Sequence, residues 1–319
     1  MSSITDIRGI RVGHAQDFDA LTGCTVILFD DRTTGGACFS GHASGTRACD
    51  LFRENHLNDE LHAILLSGGS NYGLDAAGGV MRFLEERSLG FHVGDVVIPI
   101  VPSAIIYDLG IGISDVRPDQ KMAYQACQNA TSNSVSEGSV GAGTGATVGK
   151  FYGMTRAMKG GIGSFSQESQ YGPIAAISVV NAVGDVIDSR TDQIIAGLLD
   201  PTHTQVMSSA TEIQNDDQIG LHANTTLAVI ATEISLSKKE LNKLAEIADK
   251  AFMNAISPSH HRYDGDVLFA ISTNQREAEV DLEQMGQFAM EALEHSFSRA
   301  VTEARSLGGV KSYSDLQQK

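Results

Sequence analysis

The run Asn224-Thr225-Thr226-Leu227-Ala228-Val229-Ile230-Ala231-Thr232 decides how the chain is read. Residues 227–231 are apolar and β-prone between polar flanks, the pattern of a buried strand. An asparagine and two threonines stand at its front, where it leaves a long polar stretch. A threonine hydroxyl placed there can attack the carbonyl just before it. The chain then breaks between Asn224 and Thr225, and Thr225 gains a free α-amine. Such a threonine carries its own base, since an α-amine with an ordinary pKa of about 7.7–8.0 can take the hydroxyl proton near neutral pH. The plain alternative is a Thr-Thr pair that merely starts a strand, because threonine suits a pleated surface.

The 319 residues can bury a substantial core, and 42% hydrophobic with 19% charged residues is the composition of a folded protein. A net charge of −16 with no basic patch argues against nucleic acid or an anionic membrane as partner. The N-terminal Met1-Ser2-Ser3-Ile4-Thr5-Asp6-Ile7 lacks the apolar core of a signal peptide, and no run reaches the length of a membrane span, so a cytoplasmic protein is expected. The four cysteines fit no metal-ligand spacing and are expected as reduced thiols. There is no HExxH, and adjacent His260-His261 make a poor chelate, so neither metal nor cofactor is expected.

Before position 185, short apolar runs alternate with glycine turns at 25–30, 62–67, 95–101 and 174–180, which predicts strands of a layered α/β domain. Helices are predicted at 73–86 and at 117–129, the latter with Pro118 in its first turn. Residues 200–223 are polar with little periodicity and read as a mobile surface loop leading to the cleavage point. Beyond Thr225 the order is β-α-β-α. A capping box, Ser237-Lys238-Lys239-Glu240, opens a helix that carries Leu241 through Ala255 on one face. The apolar run 267–271 follows, and a last amphipathic helix bears Leu282 through Val301.

Four groups can complete a site around Thr225, each with a plainer reading. Lys159, among glycines in Met158-Lys159-Gly160-Gly161-Ile162-Gly163, is either a desolvated base or a solvated turn lysine. Asn181, ending a strand, either donates to an oxyanion or bonds its own turn. Asp264 and Asp266, at i and i+2 on a strand, either face the nucleophile together or are turn aspartates; the DxDxDG calcium pattern is absent. Residues 138–149 contain a weak near-match to a dinucleotide fingerprint, without the preceding strand or later carboxylate, so a glycine-lined cleft or tight turn is favoured. Ser67-Gly68-Gly69-Ser70-Asn71-Tyr72-Gly73 can bind an anion through its amides or form a tight strand-to-helix turn.

These pieces together resemble the family of L-aminopeptidase/D-esterases, which includes β-aminopeptidases and nylon-oligomer hydrolases. The resemblance runs over nearly the whole chain. It rests on Ile10-Arg11-Val12-Gly13-His14, Gly68-Gly69-Ser70-Asn71-Tyr72-Gly73-Leu74-Asp75-Ala76, residues 102–109, residues 141–149, Lys159-Gly160-Gly161-Ile162-Gly163, Asn224-Thr225-Thr226 and Asp264-Gly265-Asp266. It implies a four-layer αββα sandwich made from an autocleaved precursor, with a large subunit of residues 1–224 and a small subunit of 225–319 in one compact domain. It also implies a homo-oligomer, a tetramer of cleaved heterodimers. Carried over by position, Thr225 is the nucleophile freed after Asn224, and Asn181 the oxyanion-side amide. Asp264 and Asp266 are the pair near the nucleophile, Lys159 the active-site lysine, and Tyr107 a substrate- or oxyanion-contacting tyrosine. Two aspartates and a threonine lean toward the amide-oligomer branch, since peptidase members tend to have serine and glutamate at the paired positions and many use serine as nucleophile.

The expected activity is a self-processing aminopeptidase or amidase acting on a short peptide or small amide with a free amino group, through an acyl-enzyme on Thr225. The rivals are an acyltransferase of the ornithine acetyltransferase type, which shares the fold and a threonine released by self-cleavage, and an uncleaved ligand-binding protein.

Overall fold

The structure, a computed structural model, describes residues 2–215 and 224–317. Alternation on its long strands sets the layers. On strand Thr225–Ile234, Leu227, Val229 and Ala231 join one buried cluster while Ala228 and Ile230 join another. Strands Gly172–Asn181 and Val267–Arg276 do the same, with Ile177 and Phe269 on the first side and Ala176 and Leu268 on the second. Successive side chains on a strand face opposite ways, so a sheet this apolar on both faces must be covered on both.

The strands run in space Gly161–Ser169, Gly172–Asn181, Thr225–Ile234, Val267–Arg276, Thr22–Phe39, Glu60–Ser67, Ser103–Ile105 and Thr46–Arg47, with Ile10–Asp17 antiparallel to the front of Thr22–Phe39. Strand Thr22–Phe39 links two halves. Its front pairs with Ile10–Asp17 and Glu60–Ser67, its back pairs with Val267–Arg276, and Asp30, Asp31 and Arg32 are exposed between them. The halves stack face to face: the inner cluster combines Ile27, Ile64 and Leu66 from one with Ile177, Val229 and Phe269 from the other. Helices Lys238–Ala248, Lys250–Ala255 and Leu282–Thr302 cover one outer face through Leu241, Phe252 and Phe297. Helices Ala77–Glu85 and Gln120–Gln128 cover the other through Val80 and Ala123. The layers are therefore α, β, β, α, as expected. Close seating of the longest helix depends on glycine: a Cβ on Gly163 would lie 2.1 Å from the Ser296 carbonyl oxygen.

The capping box forms as read, with Ser237 accepting from the Glu240 N–H and Glu240 accepting from the Ser237 N–H. Other expectations need correction. Residues 95–101 do not form a core strand; among the described residues, Val96–Ile98 pairs only with Phe91–Val93 in an exposed hairpin. Helix Gln120–Gln128 starts after Asp119, which accepts the Met122 N–H, so Pro118 stands ahead of the cap rather than in the first turn. The helix expected at 73–86 opens as a 3-10 turn, Ser70–Ala76, before Ala77–Glu85, and the one after Ser237 breaks at Asp249. Residues 200–215 are ordered by their own chemistry: Asp200 gathers the Thr202, Thr204 and Gln205 N–H groups, and helix Ser209–Asn215 follows. The rest of the expected loop, 216–223, lies outside the described residues.

Candidate active site

Strand direction assembles the site. Strand Thr225–Ile234 is antiparallel to Gly172–Asn181, so its first residue meets the other strand's last, and Asn181 lies across from Thr225. It is parallel to Val267–Arg276, so the segment entering that strand arrives at the same end, and Asn224 bridges Asp264 in parallel register. Thr225, Asn181, Asp264 and Asp266 thus converge at one buried strand mouth. The two aspartates reach it from the segment ahead of their strand, not from within it as expected.

The peptide bond before Thr225 is held in position. The Tyr263 carbonyl accepts the Asn224 N–H at 3.2 Å, and the Gly265 N–H donates to the Asn224 carbonyl oxygen at 2.8 Å. Thr225 Oγ1 donates to that same oxygen at 2.5 Å. A Cβ on residue 265 would stand 2.8 Å from Thr225 Oγ1, so only glycine gives both the amide and the space. Asp266 accepts the Thr226 N–H at 2.7 Å and fixes the next residue. Asp264 Oδ2 accepts the His261 N–H at 2.9 Å, while its buried Oδ1 has no hydrogen-bond partner among the described residues. Burial, then the neighbouring Asp266 charge, pushes the Asp264 carboxyl well above the usual carboxylate range.

Asn181 is fixed from three sides. Its Oδ1 accepts from the Thr147 N–H at 3.0 Å and from Lys150 Nζ at 2.8 Å, and its Nδ2 donates to the Tyr107 carbonyl at 3.1 Å. A side-chain amide has two N–H groups, so one remains beyond the Tyr107 bond. Lys150 also donates to the Asn181 backbone carbonyl at 2.9 Å. Burial pushes Lys150 down to about 7, against the opposing charge of Asp264. A cavity of about 160 Å³ adjoins this group, walled by Tyr107, Asp108, Ile111, Thr147, Lys150 and Met154.

Lys159 is placed differently from the other expected site residues. Its ammonium donates to the Thr144 and Ala146 carbonyls at 2.8 and 2.6 Å. Burial pushes it, too, down to about 7, and the charge acting on it is that of Asp108. Asp108 accepts from Thr22 Oγ1 and the Gly69 N–H, both at 2.7 Å, so that amide of the Ser67–Gly73 turn serves an internal carboxylate. Residues 141–149 form a buried 3-10 turn and a short strand paired with Met158–Lys159, not the opening of a dinucleotide-binding helix. The sequence reading passed over Lys150 and weighed His260 only as a metal ligand; the latter sits between Asp249 and Asp266. Only the aromatic pair Phe151-Tyr152 directly after Lys150 hinted that this lysine is buried.

A family model described as peptidase family S58 matches residues 2–314. An uncharacterised aminopeptidase of Mycobacterium leprae is 35% identical over 98% of this chain and 93% of its own length. A 6-aminohexanoate-oligomer endohydrolase of Kocuria sp. strain KY2 is 31% identical over 85% of this chain and 74% of its own. Among solved structures, the L-aminopeptidase D-Ala-esterase/amidase of Ochrobactrum anthropi, described as a variant of the Ntn-hydrolase fold, superposes with a TM-score of 0.71 at 18% identity, covering 97% of this chain and 88% of that one. No helix among the described residues is long and apolar enough to cross a membrane.

Proposed function

The chain belongs to peptidase family S58 and is a hydrolase of peptide or amide bonds, and from that footing we propose that it processes itself between Asn224 and Thr225 and then works through an acyl-enzyme on Thr225. One observation carries the reading: Thr225 Oγ1 lies against the carbonyl that precedes it, and the Gly265 N–H already holds that carbonyl oxygen. In self-cleavage Oγ1 attacks the Asn224 carbonyl carbon, and the oxygen takes negative charge against the Gly265 N–H. The C–N bond breaks as Thr225 N gains a proton, leaving an ester that water opens. Lys150, neutral above about 7, and Asp264 are the buried groups suited to moving these protons.

In turnover the freed Thr225 amine takes the hydroxyl proton, and Oγ1 attacks the substrate carbonyl. The remaining Asn181 N–H supports the oxyanion, the amine product leaves, and water releases the acid. A cavity of about 160 Å³ is small for a ligand site, which suits a short acyl group beside Tyr107 and Met154. The substrate class is a short peptide or small amide with a free amino group, in line with the aminopeptidase and amide-oligomer relatives. The reading extends to a large subunit of 1–224, a small subunit of 225–319, and a homo-oligomer, for which the exposed Phe91, Val93, Val96 and Ile98 offer apolar surface.

The test uses a short amino-terminal amide with a chromogenic leaving amine. The expected result is a burst of released amine and an acyl adduct, by mass, on the fragment that begins at Thr225, both lost in Thr225→Ala. Turnover surviving in Thr225→Ala would refute the nucleophile.

A further inference from the structure

Beside the strand mouth stands a half-buried ionisable residue, His260, to which the chemistry above gives no task. His260 Nδ1 hydrogen-bonds Asp266 Oδ2 at 2.9 Å, and His260 Nε2 lies 3.2 Å from Asp249 Oδ2, an ion-pair contact without hydrogen-bond geometry. The His260 backbone N–H points to the same Asp266 oxygen at 3.3 Å. Asp249 stands at the junction of helices Lys238–Ala248 and Lys250–Ala255, and the Phe252 ring stacks on the imidazole at 5.4 Å. The other Asp266 oxygen holds the Thr226 N–H, next to the nucleophile. A file of groups therefore runs Asp249, His260, Asp266, Thr226. With a carboxylate against each ring nitrogen, the charges of Asp249 and Asp266 both favour the imidazolium.

We propose that His260, as an imidazolium between Asp249 and Asp266, is a positioning residue that holds Asp266 as an anion on the Thr226 N–H and so makes Asp264 the carboxyl of the pair that carries the proton. This rests on the self-processing reading above, and it assigns the two aspartates different work. Two buried carboxylates so close do not both ionise cheaply; the one with the better partners keeps the charge. Asp266 has a ring N–H, two backbone N–H groups and an adjacent cation. Asp264 has one backbone N–H and an unpartnered Oδ1, which is where a proton would sit.

Around the imidazole the charged groups are Asp249 from the helix junction and Asp266 and Asp264 from its own loop. Beyond them Lys150 acts on Asp264, Arg262 on His261, and Cys38 on strand Thr22–Phe39 faces Asp249 as a neutral thiol. Burial alone would lower His260; its close contacts with Asp249 and Asp266 and their charges outweigh that and raise it to about 10. His260 also has a left-handed backbone, φ +51°, which points to a position held by its surroundings.

The first measurement is an NMR titration of the His260 ring in Thr225→Ala protein, where cleavage does not intervene. The ring should stay protonated past about pH 9, and in the added presence of Asp249→Asn it should titrate at least about one unit lower. A ring that loses its proton below pH 8, or that ignores Asp249→Asn, overturns the proposal. The second is the pH profile of self-cleavage in His260→Gln, which keeps a hydrogen-bond donor and removes the charge. Loss of a cation raises the pKa of every nearby group, so the whole profile should move to higher pH by about one unit. A profile that keeps its position and only drops in height would make His260 merely structural. Cleavage persisting in Thr225→Ala would sink the nucleophile assignment and leave the His260 titration standing, so the two failures are distinguishable.

Discussion

Lys150 and Lys159 bound one short segment and share much: both are buried, and burial pushes both down to about 7. What they touch separates them. Lys150 holds both oxygens of Asn181 and feels the charge of Asp264, while Lys159 ties the Thr144 and Ala146 carbonyls together and feels Asp108. A buried lysine is defined by its acceptors. On backbone carbonyls it is a strut; on the amide opposite a nucleophile, beside a carboxyl with a raised pKa, it can pass a proton.

Replacing each lysine by methionine tests that difference. Lys150→Met should give the largest effect, slowing self-cleavage by about a hundred-fold or more, read from the two fragments over time on a denaturing gel. Lys159→Met should leave the buried Thr144 carbonyl without its donor, while the Ala146 carbonyl keeps the Gly160 N–H, and cost about 1–3 kcal/mol, read from urea unfolding, while the folded protein still cleaves. If Lys159→Met stayed folded and stopped cleaving, and Lys150→Met did not, the two roles would have to be exchanged. The last effect concerns pH. With an ordinary value of 10.5 and a folded value of about 7, Lys159 binds its proton more tightly in the unfolded chain between those limits, so its share of stability grows as pH rises. The stability deficit of Lys159→Met should therefore widen from pH 7 to 10; a constant gap would mean that Lys159 keeps its ordinary proton affinity in the fold.

The same contrast marks how far the sequence could be read. The Thr225 strand, the Ser237 capping box and the last helix were legible because alternation, caps and helical stripes are local signals. The strand mouth was legible too, since Asn181 and Asp264 end or enter apolar runs. Lys150 was not. It drew no reading from the sequence, because its partner, Asn181, lies 31 residues away along the chain. His260 was weighed only as a metal ligand for the same reason: one of its two carboxylates lies on another element. The strand read at 95–101 forms only over Val96–Ile98 and outside the core, because an apolar run does not reveal whether a partner sheet will cover it, and here none does among the described residues.

The most direct test of the nucleophile is the intact mass of purified protein under denaturing conditions, beside Thr225→Ala. Dividing 33.9 kDa by residue count at the Asn224–Thr225 bond gives about 24 and 10 kDa. The expected result is both fragments, the smaller with threonine at its N-terminus, and one intact chain in the variant. A cut elsewhere, or a wild-type chain that stays whole through prolonged incubation yet turns over amides, would contradict the account.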